Sequence, residues 1–337
     1  MGSTNDDPLT FQEAISGQNH LEWRAAIQKE YQSLLDNGTW ELIRREYIVP
    51  PGQQVIGCKW VFKTKANKVR KARLVIKGYR QRHDIDYHDT FAAVSRMDSV
   101  RCIIASAMLK GWKLHQFDAV TAFLHGDIDT AIYMELPEGF EKEGYVCQLR
   151  RSLYGLKQAP RIWYRCVQRV LQSNGFTMAQ SDNCVFYKDN CVVCVYVDDF
   201  LVAGATTHEI ENVRRALQLD FKLNDLATPR SFLGIQFNFN IDGSVSIHQH
   251  QYIQKVLSDF CMEDCQPKNT PMNPKLNTRP DEEDIDENSK DRYCSAVGAP
   301  MYLMVGTRPD IAFALGTLSR FTSRPQLHHQ ASPSSMK

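Results

Sequence analysis

The stretch VVCVYVDDFLVAG, residues 192–204, sets two carboxylates, Asp198 and Asp199, side by side in a run that is otherwise almost wholly apolar. A carboxylate left without a partner in a poor dielectric costs several kcal/mol, or shifts its pKa until it neutralises. A tight turn, a protein cation or metal ions can each hold such a pair. The flanking sequence points first to a turn. Residues 183–187 and 191–197 are β-rich and separated by Lys188-Asp189-Asn190, and residues 200–202 are apolar again. The aspartates are therefore expected at the tip of a hairpin between strands 191–197 and 200–203, solvated and aimed outward.

The chain of 337 residues, 43% hydrophobic and 23% charged, has the composition of a globular protein with room for one large domain or two. No apolar run is long enough to cross a bilayer, and the polar start MGSTNDDPLT shows no signal peptide. The 10 cysteines follow no framework spacing and read as reduced thiols of the cytosol or nucleus. Cys191 and Cys194, three apart in a strand, face opposite sides and cannot share a ligand. The net charge of +1 hides an asymmetry. KWVFKTKANKVRKARLVIKGYRQR, residues 59–82, holds many Lys and Arg and no acid, and residues 145–181 are likewise acid-free with Arg150, Arg151, Lys157, Arg161, Arg165 and Arg169. Acids gather in DEEDIDENSKD, residues 281–291. Basic blocks flanking acidic chemistry suggest a polyanionic partner.

Around this centre, Leu21, Ala25, Ile27, Tyr31, Leu34 and Leu35 recur near helical spacing up to Asn37-Gly38. Residues 55–62 and 72–77 read as strands with a basic hairpin tip between them. Helices are expected over 99–109, 160–173, 206–219 (with capping-box spacing from Thr206 to Glu209), 251–260 and 293–321. Residues 113–117 and 132–136 read as strands, and 231–240 and 244–248 as a hairpin about Asp242-Gly243. Residues 270–291 read as a linker.

In LHQFDAVTAFLHGD, a third carboxylate, Asp118, ends a strand. Three acids converging from separate strands suit two-metal phosphoryl transfer, in which divalent ions roughly 3.5–4 Å apart serve the attacking and leaving oxygens. Magnesium prefers a few carboxylates completed by phosphate oxygens and water.

The run YVDD at 196–199, with Asp118 and with Phe123 five residues beyond it, resembles the palm of a reverse transcriptase. The segments NGTWEL, KWVFKTK, KARLVIKGY, IDYHDTFAAVSR, SLYGLKQAPRIWY, SFLGIQF and TRPDIAFALGTLSRF narrow the resemblance to the Ty1/copia class of retrotransposon polymerases, over residues 7–327. The resemblance implies an α+β right-hand polymerase fold: an antiparallel-sheet palm, basic fingers, and a small thumb or connection region with truncation an open reading. It implies RNA-directed DNA polymerase activity, with Asp118, Asp198 and Asp199 as catalytic acids and ligands of two Mg2+ ions, or of Mn2+. It further implies nucleotide contacts from Lys71, Arg73, Gln158 and the steric gate Phe123. Nucleic-acid contacts are implied for Lys63, Lys65, Lys68, Arg161, Tyr196 and the primer-gripping Phe232, Leu233 and Gly234. Partners would be dNTPs and an RNA or DNA template with its primer, without a membrane. RNase H, integrase and protease would belong to a parent polyprotein working in a cytoplasmic virus-like particle or the nucleus.

Plainer readings stand beside these. On pattern alone Phe123 is a core residue, Gln158 a helix cap, Tyr196 a packing residue, and Asp127 and Asp129 solvated turn residues. Two departures from the family are visible: the turn between Lys65 and Arg70 lacks the usual Asp-Gly, and Ala93 replaces a proline. The expected division is a helical lead-in over 1–36, fingers, palm and thumb over 37–265, an acidic linker over 266–292, and the start of a connection region over 293–337, with the chain a piece of a longer polyprotein. The rival functions are a catalytically inactive remnant that binds nucleic acid non-specifically, and a palm-type nucleotidyl cyclase, which needs neither the basic blocks nor the gate.

Overall fold

A computed structural model describes residues 7–48, 53–65, 67–272 and 286–325. The chain divides into two compact units, Met1–Arg96 with Lys113–Ala227, and Met97–Trp112 with Thr228–Lys337.

The first unit is built on a six-stranded antiparallel sheet. Its strands run in the order Leu223–Asp225, Lys113–Ala119, Asp199–Gly204, Cys191–Tyr196, Val185–Lys188, Thr177–Met178. Helices Ala159–Ser173 and Thr207–Gln218 cover one face. The first offers Trp163, Val167, Val170 and Leu171, spaced along a single side, and these meet Phe117, Phe186, Val193 and Phe200 of the sheet. Burying each such side chain is worth roughly 1.5–3 kcal/mol. The second helix starts at the capping box expected from its spacing: the Thr206 hydroxyl accepts the Glu209 backbone N–H, and the Glu209 carboxylate accepts that of Thr206. Such a box stabilises a helix by about 1 kcal/mol.

A second core in the same unit joins helix His20–Asp36 to the hairpin Cys58–Thr64/Arg70–Ile76. The inward face of this helix keeps Ile27 and Leu34 of the stripe read in the sequence but not Leu21, Ala25 or Leu35. Trp23, Ile27 and Leu34 point in, Trp23 lies edge-on to Phe62 at 5.3 Å, and Leu21 is 73% exposed. The partner hairpin chooses the stripe 23, 27, 34. Leu21 and Leu35 fall about two-fifths and a quarter of a turn outside it at 3.6 residues per turn. The basic residues do sit at the hairpin tip, which closes tightly through Lys65 N–H to Val69 O at 2.9 Å.

The other unit contains helix Met97–Leu109, a three-stranded meander, and helices His250–Asp259, Glu287–Gly306 and Ala312–Leu318. The expected strand over 231–240 is broken into Ser231–Phe232 and Ile235–Phe239, because Leu233 and Gly234 both take left-handed backbone (φ 51 and 68) and make a two-residue turn. The last helical stretch is also divided: Glu287–Gly306 begins before Tyr293, capped by the Asp286 carboxylate on Ser289 N–H at 2.9 Å, and ends ahead of Arg308-Pro309. Residues 273–285 of the expected linker, and the polar tail after Pro325, lie outside the described residues; the linker reading is corrected at 287–292, which form the first turns of Glu287–Gly306 behind the Asp286 cap.

Candidate active site

Strand Lys113–Ala119 lies between Leu223–Asp225 and Asp199–Gly204, and its register sets Asp118 directly opposite Asp199 on one side and Asn224 on the other. Opposed residues share a face of the sheet with Cβ atoms about 4.5–5.5 Å apart, where like charges repel. Asp198 belongs to the two-residue connection Val197-Asp198, and its carbonyl accepts Ala119 N–H at 2.7 Å, tying this turn to the end of the Asp118 strand. Asp199 is therefore the first residue of its strand. The expectation of a solvated pair aimed outward is corrected: both aspartates are half-buried.

Burial, then the neighbouring Asp118 carboxylate, raises the pKa of Asp198, while Arg73 and Lys71 oppose the rise. Asp199 is pushed up to about 6 by burial and by Asp198 and Asp118, against a hydrogen bond from Gln116 Nε2 at 3.0 Å. Asn224 Nδ2 donates to Asp118 Oδ2 at 2.9 Å.

A pH effect on stability follows. A carboxyl with a folded pKa of about 6 and an ordinary value of 3.8 holds its proton more tightly when folded, so stability is fully present below pH 4 and falls as pH rises through 6. In metal-free buffer Asp199→Asn is expected to gain stability over the wild type at pH 7.5 and not at pH 4. The gain is about 1 kcal/mol once solvent screening of a half-exposed group is allowed for. Urea denaturation of both proteins at the two pH values measures it, and an equal difference at both would remove the effect.

The turn that carries Asp198 is held against its own preference. Val197 has φ 53, a left-handed conformation costly for a β-branched residue. The indole N–H of the buried Trp163 donates to the Val197 carbonyl, which anchors the turn to helix Ala159–Ser173.

Lys71 and Arg73 are half-buried on strand Arg70–Ile76. Burial lowers the Lys71 pKa, helped by Arg73 and Lys65 and countered by Glu30 and Asp118. The Arg73 guanidinium lies over the Tyr154 ring, 4.6 Å from its centroid, and Phe123 meets the same ring edge-on at 4.9 Å and 81°. Phe123 sits in the short turn Ala122–His125, half-buried, packed against both cores of its unit. Tyr154 is pinned to the Arg73 strand by Ile76 N–H to Tyr154 O at 2.9 Å. Gly155 follows with φ 94, and a Cβ there would stand 2.2 Å from Ile76 O, so only glycine fits.

Gln158 occupies the N-cap position of its helix but its side chain makes no cap bond. It is 1% exposed and lies in a network, accepting from Gln81 Nε2 at 2.9 Å and donating to Asp86 O at 3.0 Å. Arg161 is held by Asp89 at 2.9 Å and Asp129 at 3.1 Å. Asp129 and Asp127, read as solvated turn residues, are both exposed, and each also forms an ion pair, Asp129 with Arg161 and Asp127 with Arg151 at 2.6 Å. Tyr196 is half-buried opposite Asp199. Lys63, Lys65 and Lys68 are exposed at the hairpin tip. In the other unit, Phe232 is 1% exposed, and the Tyr302 hydroxyl donates to Leu233 O and closes over Gly234.

Sequence reading missed Gln116, Asn224, Glu30 and Tyr154. Gln116, two residues before Asp118, was visible as a same-face neighbour; the others depend on pairings between distant segments.

Among the described residues no group of three or more His, Cys, Asp or Glu is placed to hold a metal ion. The acids that gather here are carboxylates, with Asp118 raising the pKa of Asp198 and both of these raising that of Asp199; this donor type suits a hard divalent cation completed by substrate oxygens and water. No described helix is long and apolar enough to cross a membrane.

Residues 37–274 match the family described as reverse transcriptase (RNA-dependent DNA polymerase). The retrovirus-related Pol polyprotein from transposon TNT 1-94 of Nicotiana tabacum is 38% identical over 97% of this chain and 26% of its own length. That from transposon RE1 of Arabidopsis thaliana is 34% identical over 97% of this chain and 22% of its own. The transposon Ty1-DR4 Gag-Pol polyprotein of Saccharomyces cerevisiae is 25% identical over 96% of this chain and 21% of its own. Among solved structures, a foamy viral protease-reverse transcriptase in complex with ds DNA covers 93% of this chain and 47% of its own at TM-score 0.47 and 13% identity. The chain belongs to the reverse transcriptase family, and within it to the copia/Ty1-type Pol polyproteins. It spans about a quarter of the length of the plant relatives.

Proposed function

We propose that this chain is the RNA-directed DNA polymerase segment of a copia-like Pol polyprotein, adding dNTPs to a primer 3′-hydroxyl. The observation that carries the proposal is the acidic cluster: Asp118 and Asp199 in register on neighbouring strands, Asp198 on the adjoining turn, and Lys71 and Arg73 in the same electrostatic neighbourhood. Asp118, Asp198 and Asp199 would hold divalent ions, Mg2+ or Mn2+. Bound there, such ions supply activation of the attacking hydroxyl and stabilisation of the leaving oxygen.

The chain's own groups position the substrates. Lys71 and Arg73 take the triphosphate; half-buried cations beside acids are poised to exchange those partners for phosphate oxygens. The Phe123 ring lies under the incoming sugar and leaves no room for a 2′-hydroxyl. The exposed Lys63, Lys65 and Lys68 and the hairpin about Phe232, Leu233 and Gly234 meet the template and primer backbones, with Tyr196 beside the acids. Gln158 shapes the pocket through Gln81 and Asp86, while Arg161, already bound to two carboxylates, orders the loops that border it. RNase H, integrase and protease functions would lie elsewhere in the parent polyprotein, in a particle or nuclear setting.

Primer extension on an RNA template with magnesium or manganese tests the proposal. Template binding without extension would favour the inactive remnant. The basic tip gives a second measurement. Binding should weaken with salt, and changing Lys63, Lys65 and Lys68 together to Gln should reduce the slope of log K against log salt by roughly 2–3, since each phosphate left without its cation takes away roughly 0.9. Fluorescence anisotropy at a series of salt concentrations reads the slope; an unchanged value would put the binding surface elsewhere.

A further inference from the structure

We infer that Tyr154 is a positioning residue that couples the grip on the nucleotide's triphosphate to discrimination at its sugar. The inference rests on the polymerase reading above and adds a residue to it. One aromatic ring bears both groups assigned to the nucleotide: the Arg73 guanidinium lies over its face at 4.6 Å, and the Phe123 ring meets it edge-on at 4.9 Å. A cation over a ring and a perpendicular ring pair are both attractive and directional, so the Tyr154 ring restrains two side chains at once.

The backbone that carries the ring is fixed to the strand that carries Arg73. Ile76 N–H donates to Tyr154 O at 2.9 Å, and Gly155 packs so closely on Ile76 that a Cβ would not fit. Glu30 completes the arrangement. It is half-buried on helix His20–Asp36, near enough to Lys71 and Arg73 for their charges to act on its carboxyl. The triphosphate end and the 2′ end of one nucleotide are therefore read by side chains that share a support.

Disturbing Arg73 alone would change nucleotide affinity, and disturbing Phe123 alone would change sugar selectivity. Disturbing their shared support changes both, and that joint signature separates positioning from mere stability. The test is single-nucleotide extension with dNTP and with the matching rNTP by wild type, Tyr154→Leu and Tyr154→Phe. In parallel, 19F NMR follows each protein with a 4-fluorophenyl ring installed at position 123.

Tyr154→Leu is expected to raise the KM for dNTP about tenfold with kcat within about threefold, the pattern of lost uniform binding. It should also lower the dNTP-over-rNTP preference about tenfold, the size of a packing change in an apolar pocket. The fluorine resonance should shift and change width. Tyr154→Phe keeps the ring and should restore KM, preference and resonance to within about twofold of wild type, since the ring makes both interactions. A fall in kcat for both nucleotides alike, with an unmoved preference and resonance, would overturn the inference and leave Tyr154 a packing residue. A wild-type chain that extends no primer overturns the polymerase reading and this inference with it. Extension by wild type with preference and resonance unmoved in Tyr154→Leu overturns this inference alone.

Discussion

Replacing Asp118 or Asp198 with Asn should lower primer extension by about a thousandfold or more, the order lost when a group stabilising transition-state charge is removed. Folding should be spared. The asparagine keeps an oxygen that can accept from Asn224 at position 118, and the Ala119 N–H bond at position 198 is to backbone and remains. The substitution also relieves repulsion. Asp198 and Asp199 are raised in part by their acidic neighbours, so removing one charge in metal-free buffer should hold the melting temperature or lift it by about 1–4 °C, as expected for up to 1 kcal/mol in a protein of this size. Loss of extension with intact template binding and an unlowered melting temperature is the expected set of results. An Asp198→Asn protein that extends primers at the wild-type rate would end the assignment of these acids.

Phe123→Val is expected to leave deoxynucleotide insertion within about tenfold of wild type and to raise ribonucleotide insertion about a hundredfold, as shape exclusion gives way to an apolar space that rejects a hydroxyl only weakly. The geometry makes this a sharp contest between two roles. Phe123 packs against both cores of its unit, which is how a structural residue behaves. It is only half-buried, though, and its neighbour Tyr154 is half-buried too, so one side of the pair reaches the surface near the acids. A fully buried phenylalanine cut to alanine costs about 3–5 kcal/mol, and the valine at a half-buried site far less. Single-nucleotide extension with dNTP and rNTP, beside a melting curve for each protein, decides the matter. An unmoved ratio with a sharply lowered melting temperature would make Phe123 a core residue.

The parts legible in the sequence were those specified by near neighbours. The hairpin around Asp198 and Asp199, the strand ending near Asp118, the helix carrying Trp163 and the capping box at Thr206 all rest on short spacings. What stayed hidden depended on distant partners or rare backbone. The pairing of Asp118 with Asn224 is set by sheet register, and Gln158 finds Gln81 at a separation of 77 residues. The break at Leu233-Gly234 puts a leucine at positive φ, where its side chain gives no warning. The solvated reading of the two aspartates failed because a two-residue turn packed onto Trp163 keeps them half inside. Periodicity located the first long helix and two residues of its inward face, Ile27 and Leu34, but not Trp23, which the hairpin it meets selects.

Val197, with its left-handed backbone beside the acids, shows what sets the shape of this turn. A left-handed valine carries roughly 1–2 kcal/mol of conformational strain. Glycine would release that strain but would also enlarge the freedom of the unfolded chain, giving back about 0.4–1 kcal/mol. The net gain is small, and asparagine or aspartate, whose short polar side chains tolerate left-handed backbone, would carry less strain than valine. The bend is thus imposed by the tertiary contact, the Trp163 indole on the Val197 carbonyl, and not by the residue that occupies the turn.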